Sequence, residues 1–124
     1  MPSLLLSIAR SGFARYFIGW IFTHMSFALP VKRLYETDHV IAFHHPQPSH
    51  AVHILLVPKR AFASLMDLPA GETAFYQDLF ATVQHLVREL DLEGGGYRFI
   101  ANGGAYQDVP HLHFHLVADK ETGT

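Results

Sequence analysis

Near its C-terminal end the chain reads "HLHFHLV", with Leu112, Phe114 and Leu116 alternating with His111, His113 and His115. A period of two is that of a β-strand, where successive side chains face opposite ways. The pattern therefore predicts a strand that sends its leucines and phenylalanine into a core and three imidazoles to the other face, with neighbouring Cα atoms of the row about 7 Å apart. Upstream, "VHILLV" from Val52 to Val57 is almost continuously apolar and stops at Pro58, as expected of a central strand buried on both faces. His53 lies within it. "VKRLYETDHVIAFHH" reads as two short strands around a turn at Thr37 and Asp38, and "YRFIAN" from Tyr97 to Asn102 as a further strand.

Between these strands the period changes. Phe75, Leu79, Val83, Leu86 and Leu90 recur at spacings of three and four, which predicts a helix over Pro69–Leu90. Asp67 and Pro69 mark its expected entry, and Gly94, Gly95 and Gly96 its expected end. Hairpin, strand, long helix, strand, strand is the order of an α+β domain: one mainly antiparallel sheet with a helix packed on it.

The first 30 residues follow a different pattern, being apolar and aromatic with Arg10 and Arg15 as their only formal charges. Ser3, Ser7, Arg10, Ser11, Ala14 and Arg15 fall on one helical stripe, and Leu4, Leu5, Ile8, Phe13, Tyr16, Phe17 and Trp20 cover the rest. The uncharged run from Tyr16 to Val31 is short of the roughly 20 residues of a spanning helix, and Pro30 closes it. An amphipathic helix lying flat is expected over residues 1–19, packed on the domain or a second subunit, resting on a membrane surface, or cleaved as a signal.

Composition narrows the chemistry. With 124 residues, 49% of them hydrophobic and 16% charged, the chain is expected to fold as one domain. A formal net charge of -2 without a basic cluster gives no reason to expect nucleic acid as a partner. The absence of cysteine excludes disulfides, thiolate catalysis and cysteine-ligated zinc, and is compatible with a cytoplasmic setting. The chain's ten histidines are its distinctive resource.

A strand face built only to pack would use Val, Ile or Thr rather than an imidazole row. Two readings remain open on spacing alone. A His-x-His pair can supply two metal ligands, with His53 as a third. Alternatively one ring attacks phosphorus while its neighbours set its tautomer, orientation and charge. His24, His39, His44, His50 and His85 are scattered over helix, turn and loop positions and are expected to be solvated or locally hydrogen-bonded.

The run His111-Leu-His-Phe-His115-Leu-Val117 resembles the His-x-His-x-His-apolar-apolar signature of the histidine triad (HIT) family of nucleotide hydrolases and transferases. Other segments are similar in the same order. "IFTHMSFALPVKRLYETD" from Ile21 resembles the family's opening helix, turn and first strand, one residue shorter before the proline. "AFHHPQPSHAVHILLVPK" resembles its second strand, loop and third strand, and "YRFIANGG" the strand that ends in a phosphate-contacting asparagine. The resemblance covers about residues 20–118. It implies a HIT-like α+β domain over 20–124 with residues 1–19 as an extension, and a homodimer acting on a purine nucleotide or nucleotide conjugate without a cofactor or metal.

By the same resemblance His113 is the nucleophile toward the α-phosphorus, supported by His111, His115 and His53. Asn102, Gly103, Gly104 and Gln107 border the substrate. Two positions depart from the purine nucleoside phosphoramidases: His45 stands where they have an aspartate for the ribose hydroxyls, and Asp108 where they have a serine. An ionised Asp108 would repel phosphate; a protonated one would donate to a leaving group. The loop from Asn102 to His111 is two residues shorter, with Tyr106 in place of a glycine. Phosphoramidase-type cleavage is the leading expectation. A dinucleoside polyphosphate hydrolase, a membrane-associated nucleotide-binding module with little turnover, and a histidine-ligated metal protein are the alternatives.

Overall fold

The computed structural model describes residues 33–119; the expected helix over 1–19 and the segment around Pro30 lie outside them. Five antiparallel strands form one sheet: β1 (Tyr35–Glu36), β2 (Val40–His44), β3 (Val52–Pro58), β4 (Arg98–Ala101) and β5 (Phe114–Ala118), in the order β1-β2-β3-β5-β4. The single long helix of the described residues, α1 (Thr73–Glu89), connects β3 to β4 and covers one face. Among the described residues no helix is long and apolar enough to cross a membrane.

Alternation divides each inner strand between two layers. Val52, Ile54 and Leu56 of β3 join Val40 and Ala42 of β2, Phe114, Leu116 and Ala118 of β5, and Phe75, Leu79, Val83, Leu86 and Val87 of α1 in one core. Burial of each large apolar side chain here contributes about 1.5–3 kcal/mol. Ile41, Phe43, Leu55, Val57 and Val117 point to the opposite face and are buried as well. All seven residues of β3 are buried, as its continuous apolar run predicts. The first hairpin also forms as expected and is tied to α1: His39 donates its backbone N–H to Asp78 Oδ2 (3.2 Å), and its Nδ1 lies 3.0 Å from the same oxygen.

Three boundaries differ from the sequence expectation. Helix α1 begins at Thr73 rather than Pro69, because Ser64 and Asp67 are engaged in a capping box of their own around a 3-10 turn, Leu65–Asp67. It ends at Glu89, before the three glycines. Asp91 takes the left-handed conformation (φ 54°) that reverses the chain, and Gly96 (φ 92°) closes the following turn by donating to the Leu92 carbonyl at 2.9 Å. Strand β5 starts at Phe114, so His111 and His113 precede the ladder. Leu112 nevertheless keeps the alternation, with 1% exposure and its N–H donated to the Phe62 carbonyl at 2.7 Å.

Candidate active site

Register gathers the histidines. Leu55 of β3 faces His115 of β5, and His53 faces Val117, so His53 and His115 are diagonal neighbours on the face away from α1. His44 faces Ile54, and the next pair along brings His45 beside His53, where the His45 N–H donates to the His53 carbonyl at 2.8 Å. Ala101 faces Phe114, which sets Asn102, one residue further, level with His113. The ring centroids of His113 and His115 are 5.2 Å apart, those of His53 and His115 5.2 Å, and those of His45 and His53 4.4 Å. His50 meets His53 edge-on at 5.5 Å.

The hydrogen bonds assign the ring protons, because backbone groups have fixed roles. A carbonyl only accepts, so the 2.8 Å contact of His113 Nδ1 with the His111 carbonyl places the proton on Nδ1 and leaves a lone pair on Nε2. A backbone N–H only donates, so the 3.1 Å bond from Ser49 makes His53 Nδ1 an acceptor and puts that ring's proton on Nε2. His53 Nε2 then donates to His115 Nδ1 at 2.9 Å, which leaves neutral His115 with its own proton on Nε2. Gln47 N–H likewise fixes His45 by donating to its Nδ1 at 2.9 Å. The result is an unprotonated ring nitrogen on His113 beside an N–H donor on His115.

Electrostatics keep both rings neutral. Burial, followed by the neighbouring His113, His53 and His50, pushes His115 down to about 4. Burial also lowers His113; the His111 carbonyl and the Asp108 carboxylate act in the opposite direction without cancelling it. A neutral imidazole is nucleophilic, and an imidazolium is not.

The histidines take different parts in the hydrogen bonding. His111 serves through its backbone carbonyl, while His53, on another strand, enters the hydrogen-bonded set. The close approach of His53 Nε2 to His115 Nδ1 makes a hydrogen bond of the two nitrogens that a shared metal ion would have to separate. No group of three or more metal-ligating side chains converges among the described residues.

Gln107 Nε2 donates to the Ala63 carbonyl (2.7 Å) and the Val109 carbonyl (2.9 Å), so its amide protons fasten the loop. Gly103 and Gly104 lead into a 3-10 turn, Gly104–Tyr106, with open space around both and φ 58° at Gly104. That space lets a ligand approach the backbone closely. Asp108 is exposed between half-buried Gln107 and buried Val109. Ser49 and His50 come from the β2–β3 loop, which folds back over His53. His39 and His85, expected to be solvated or locally hydrogen-bonded, instead take tertiary partners, the Asp78 carboxylate and the face of the Tyr35 ring.

The chain is similar to known proteins. The HIT domain family model matches residues 27–122. A 13.2 kDa HIT-like protein of Azospirillum brasilense is 39% identical over 98 residues, which cover 77% of this chain and 80% of that one. An adenosine 5'-monophosphoramidase of Candida albicans is 34% identical over 104 residues, covering 77% of this chain and 66% of the relative. Among solved structures, a histidine triad protein from Clostridium difficile superposes with a TM-score of 0.70 at 32% identity, over 84% of this chain and 90% of that chain.

Proposed function

The chain belongs to the histidine triad (HIT) family, and from that premise we propose that it transfers a nucleoside monophosphate group from a nucleotide conjugate to water by way of a covalent bond to His113. The observation that carries this reading is the bond from His113 Nδ1–H to the His111 carbonyl, which leaves the Nε2 lone pair to attack. In the first step Nε2 bonds to the α-phosphorus, and the bond to the leaving group breaks with its electron pair. In the second, water attacks the same phosphorus, loses a proton to solvent, and the phosphorus–imidazole bond returns its pair to Nε2. Two lower barriers replace one.

The remaining groups act on charge and position. His115 Nε2–H, Asn102 and the N–H groups of Gly103 and Gly104 are the donors for the phosphoryl oxygens, where negative charge grows in each transition state. His53 is a positioning residue, acting through His115. The substrate is a purine nucleotide conjugate joined through nitrogen, the chemistry named for the Candida albicans relative. A homodimer forms part of the reading: β4 is an edge strand, and Tyr97 and Phe80 are exposed there, with Phe80 edge-on to Phe99. Sedimentation at micromolar concentration tests it, and a monomer would remove it.

Incubation with an adenosine 5'-phosphoramidate labelled at phosphorus, followed by an alkaline quench in which phosphohistidine survives, tests the nucleophile. Label is expected on the wild-type chain and on none of the His113→Ala protein. Equal labelling of the two would overturn the assignment, and so would wild-type turnover with no labelled protein at any time point.

A further inference from the structure

The loop from β2 to β3 ties its backbone to imidazoles. Gln47 donates its N–H to His45 Nδ1 (2.9 Å) and Ser49 donates its N–H to His53 Nδ1 (3.1 Å), with Ser49 Oγ 3.4 Å from the same nitrogen. Pro46 and Pro48 alternate with these two donors and fix φ at two further positions. On this stiff loop His50 is half-buried between exposed Ser49 and exposed Ala51, so its ring alone of the three side chains is turned inward.

There it meets His53 almost at a right angle, with centroids 5.5 Å apart and planes at 84°. Aromatic rings favour such edge-to-face contacts. His45, His53, His113 and His115 each engage a ring nitrogen in a hydrogen bond, whereas His50 Nδ1 is buried and has no hydrogen-bond partner among the described residues. The imidazole therefore works through its shape rather than through that nitrogen. We propose that His50 is a positioning residue: its flat ring, set across that of His53, holds His53 in the orientation that aims Nε2–H at His115.

The inference rests on the nucleotidyl-transfer reading and deepens it. The bond from Ser49 fixes one point in the plane of the His53 ring but still lets the ring rock about that point. His45 lies alongside, with centroids 4.4 Å apart and planes at 32°, and His50 stands across the ring, so the two contacts oppose motion in different directions. A hydrogen bond weakens steeply as its angle closes, so the 2.9 Å contact of His53 Nε2 with His115 Nδ1 tolerates little rocking. When that contact is made, His115 carries its proton on Nε2, where the phosphoryl oxygens need a donor. When it is lost, His115 is released to its other tautomer, and the donor is missing where charge builds in the transition state. His50 acts through His53 and does not touch the substrate, so its loss affects kcat more than KM.

The test compares the full wild-type chain with His50→Ala, which removes the ring, and His50→Phe, which keeps a flat ring without nitrogen. Turnover of an adenosine 5'-phosphoramidate of a primary alkylamine gives kcat and KM, and NMR of protein labelled at the histidine nitrogens reads the His53 Nε2–H held between the two rings. His50→Ala is expected to lower kcat about tenfold with KM nearly unchanged, and to broaden the N–H resonance into solvent exchange. His50→Phe is expected to restore both, and to melt at a higher temperature because a buried nitrogen without a partner is gone. Wild-type kcat and an unchanged resonance in His50→Ala would overturn the inference. So would a His50→Phe protein as impaired as His50→Ala, which would assign the role to the nitrogen, and so would a wild-type protein without the resonance. Should His50→Ala fail to fold, His50→Leu removes the ring while filling much of its volume and carries the same expectations. If wild type turns over no phosphoramidate, the nucleotidyl-transfer reading falls, and the resonance still decides the inference by itself.

Discussion

Lowering the pH from 8 to 5 is expected to destabilise the fold by about 2 kcal/mol through His115 alone. In the unfolded chain this imidazole takes a proton near its ordinary 6.5, whereas in the folded protein burial and the neighbouring rings hold it at about 4. Between those values the unfolded state binds more protons, so stability rises with pH. The contribution is fully present above 6.5 and is lost as the pH falls toward 4, where it reaches about 3 kcal/mol. His113 is shifted in the same direction and adds to the slope. The carboxylates act elsewhere on the scale. Glu36 is lowered chiefly by its hydrogen bond from Lys59, and Asp78, despite burial, by bonds from Thr37 and His39; both lose their stabilising effect only below their ordinary 4.5 and 3.8. Urea unfolding of wild type and His115→Gln at pH 5, 6, 7 and 8 isolates the term, because glutamine cannot titrate. Wild type should lose about 2 kcal/mol more than the variant across that range. Parallel slopes would refute the argument that His115 is held neutral, and with it the assignment of its Nε2–H as a donor at working pH.

Two further outcomes follow from the loops. Gln107→Ala removes both bonds from the amide Nε2 and should lower stability by about 1–2 kcal/mol in a denaturant melt and raise KM more than it lowers kcat, since the loop carrying Asp108 and the glycines loosens. An unchanged midpoint would show that those bonds hold nothing in place. Asp91→Gly should gain up to about 1 kcal/mol by relieving a left-handed backbone in a side-chain-bearing residue, and a loss of stability in the same measurement would contradict the strain argument.

The architecture is largely legible in the sequence. Leu112, Phe114 and Leu116 declare the buried face of the last strand, the run from Val52 to Val57 declares the central one, and Phe75 through Leu86 declare the helix, because each rests on a period internal to its own segment. His113 and His53 stood out for the same reason, as polar interruptions of such runs. The element ends were less legible. Asp67 looked like a helix entry but caps a turn of its own, and Asp91 reversed the chain before the glycines did.

What no spacing contains is which ring holds a proton and where. That was decided by a contact between His53 and His115, 62 residues apart in the chain, by a backbone N–H from Ser49, and by the turn of the His111 carbonyl toward its neighbour's ring. His45 and His50 likewise join the cluster only because one strand pairing and one loop return bring them over His53. Sequence alone selected the residue types and the face they share, since both follow from local geometry. Only tertiary structure decided which ring nitrogens carry the protons, since a hydrogen bond joins atoms that are near in space, and the register that brings them together belongs to the sheet as a whole.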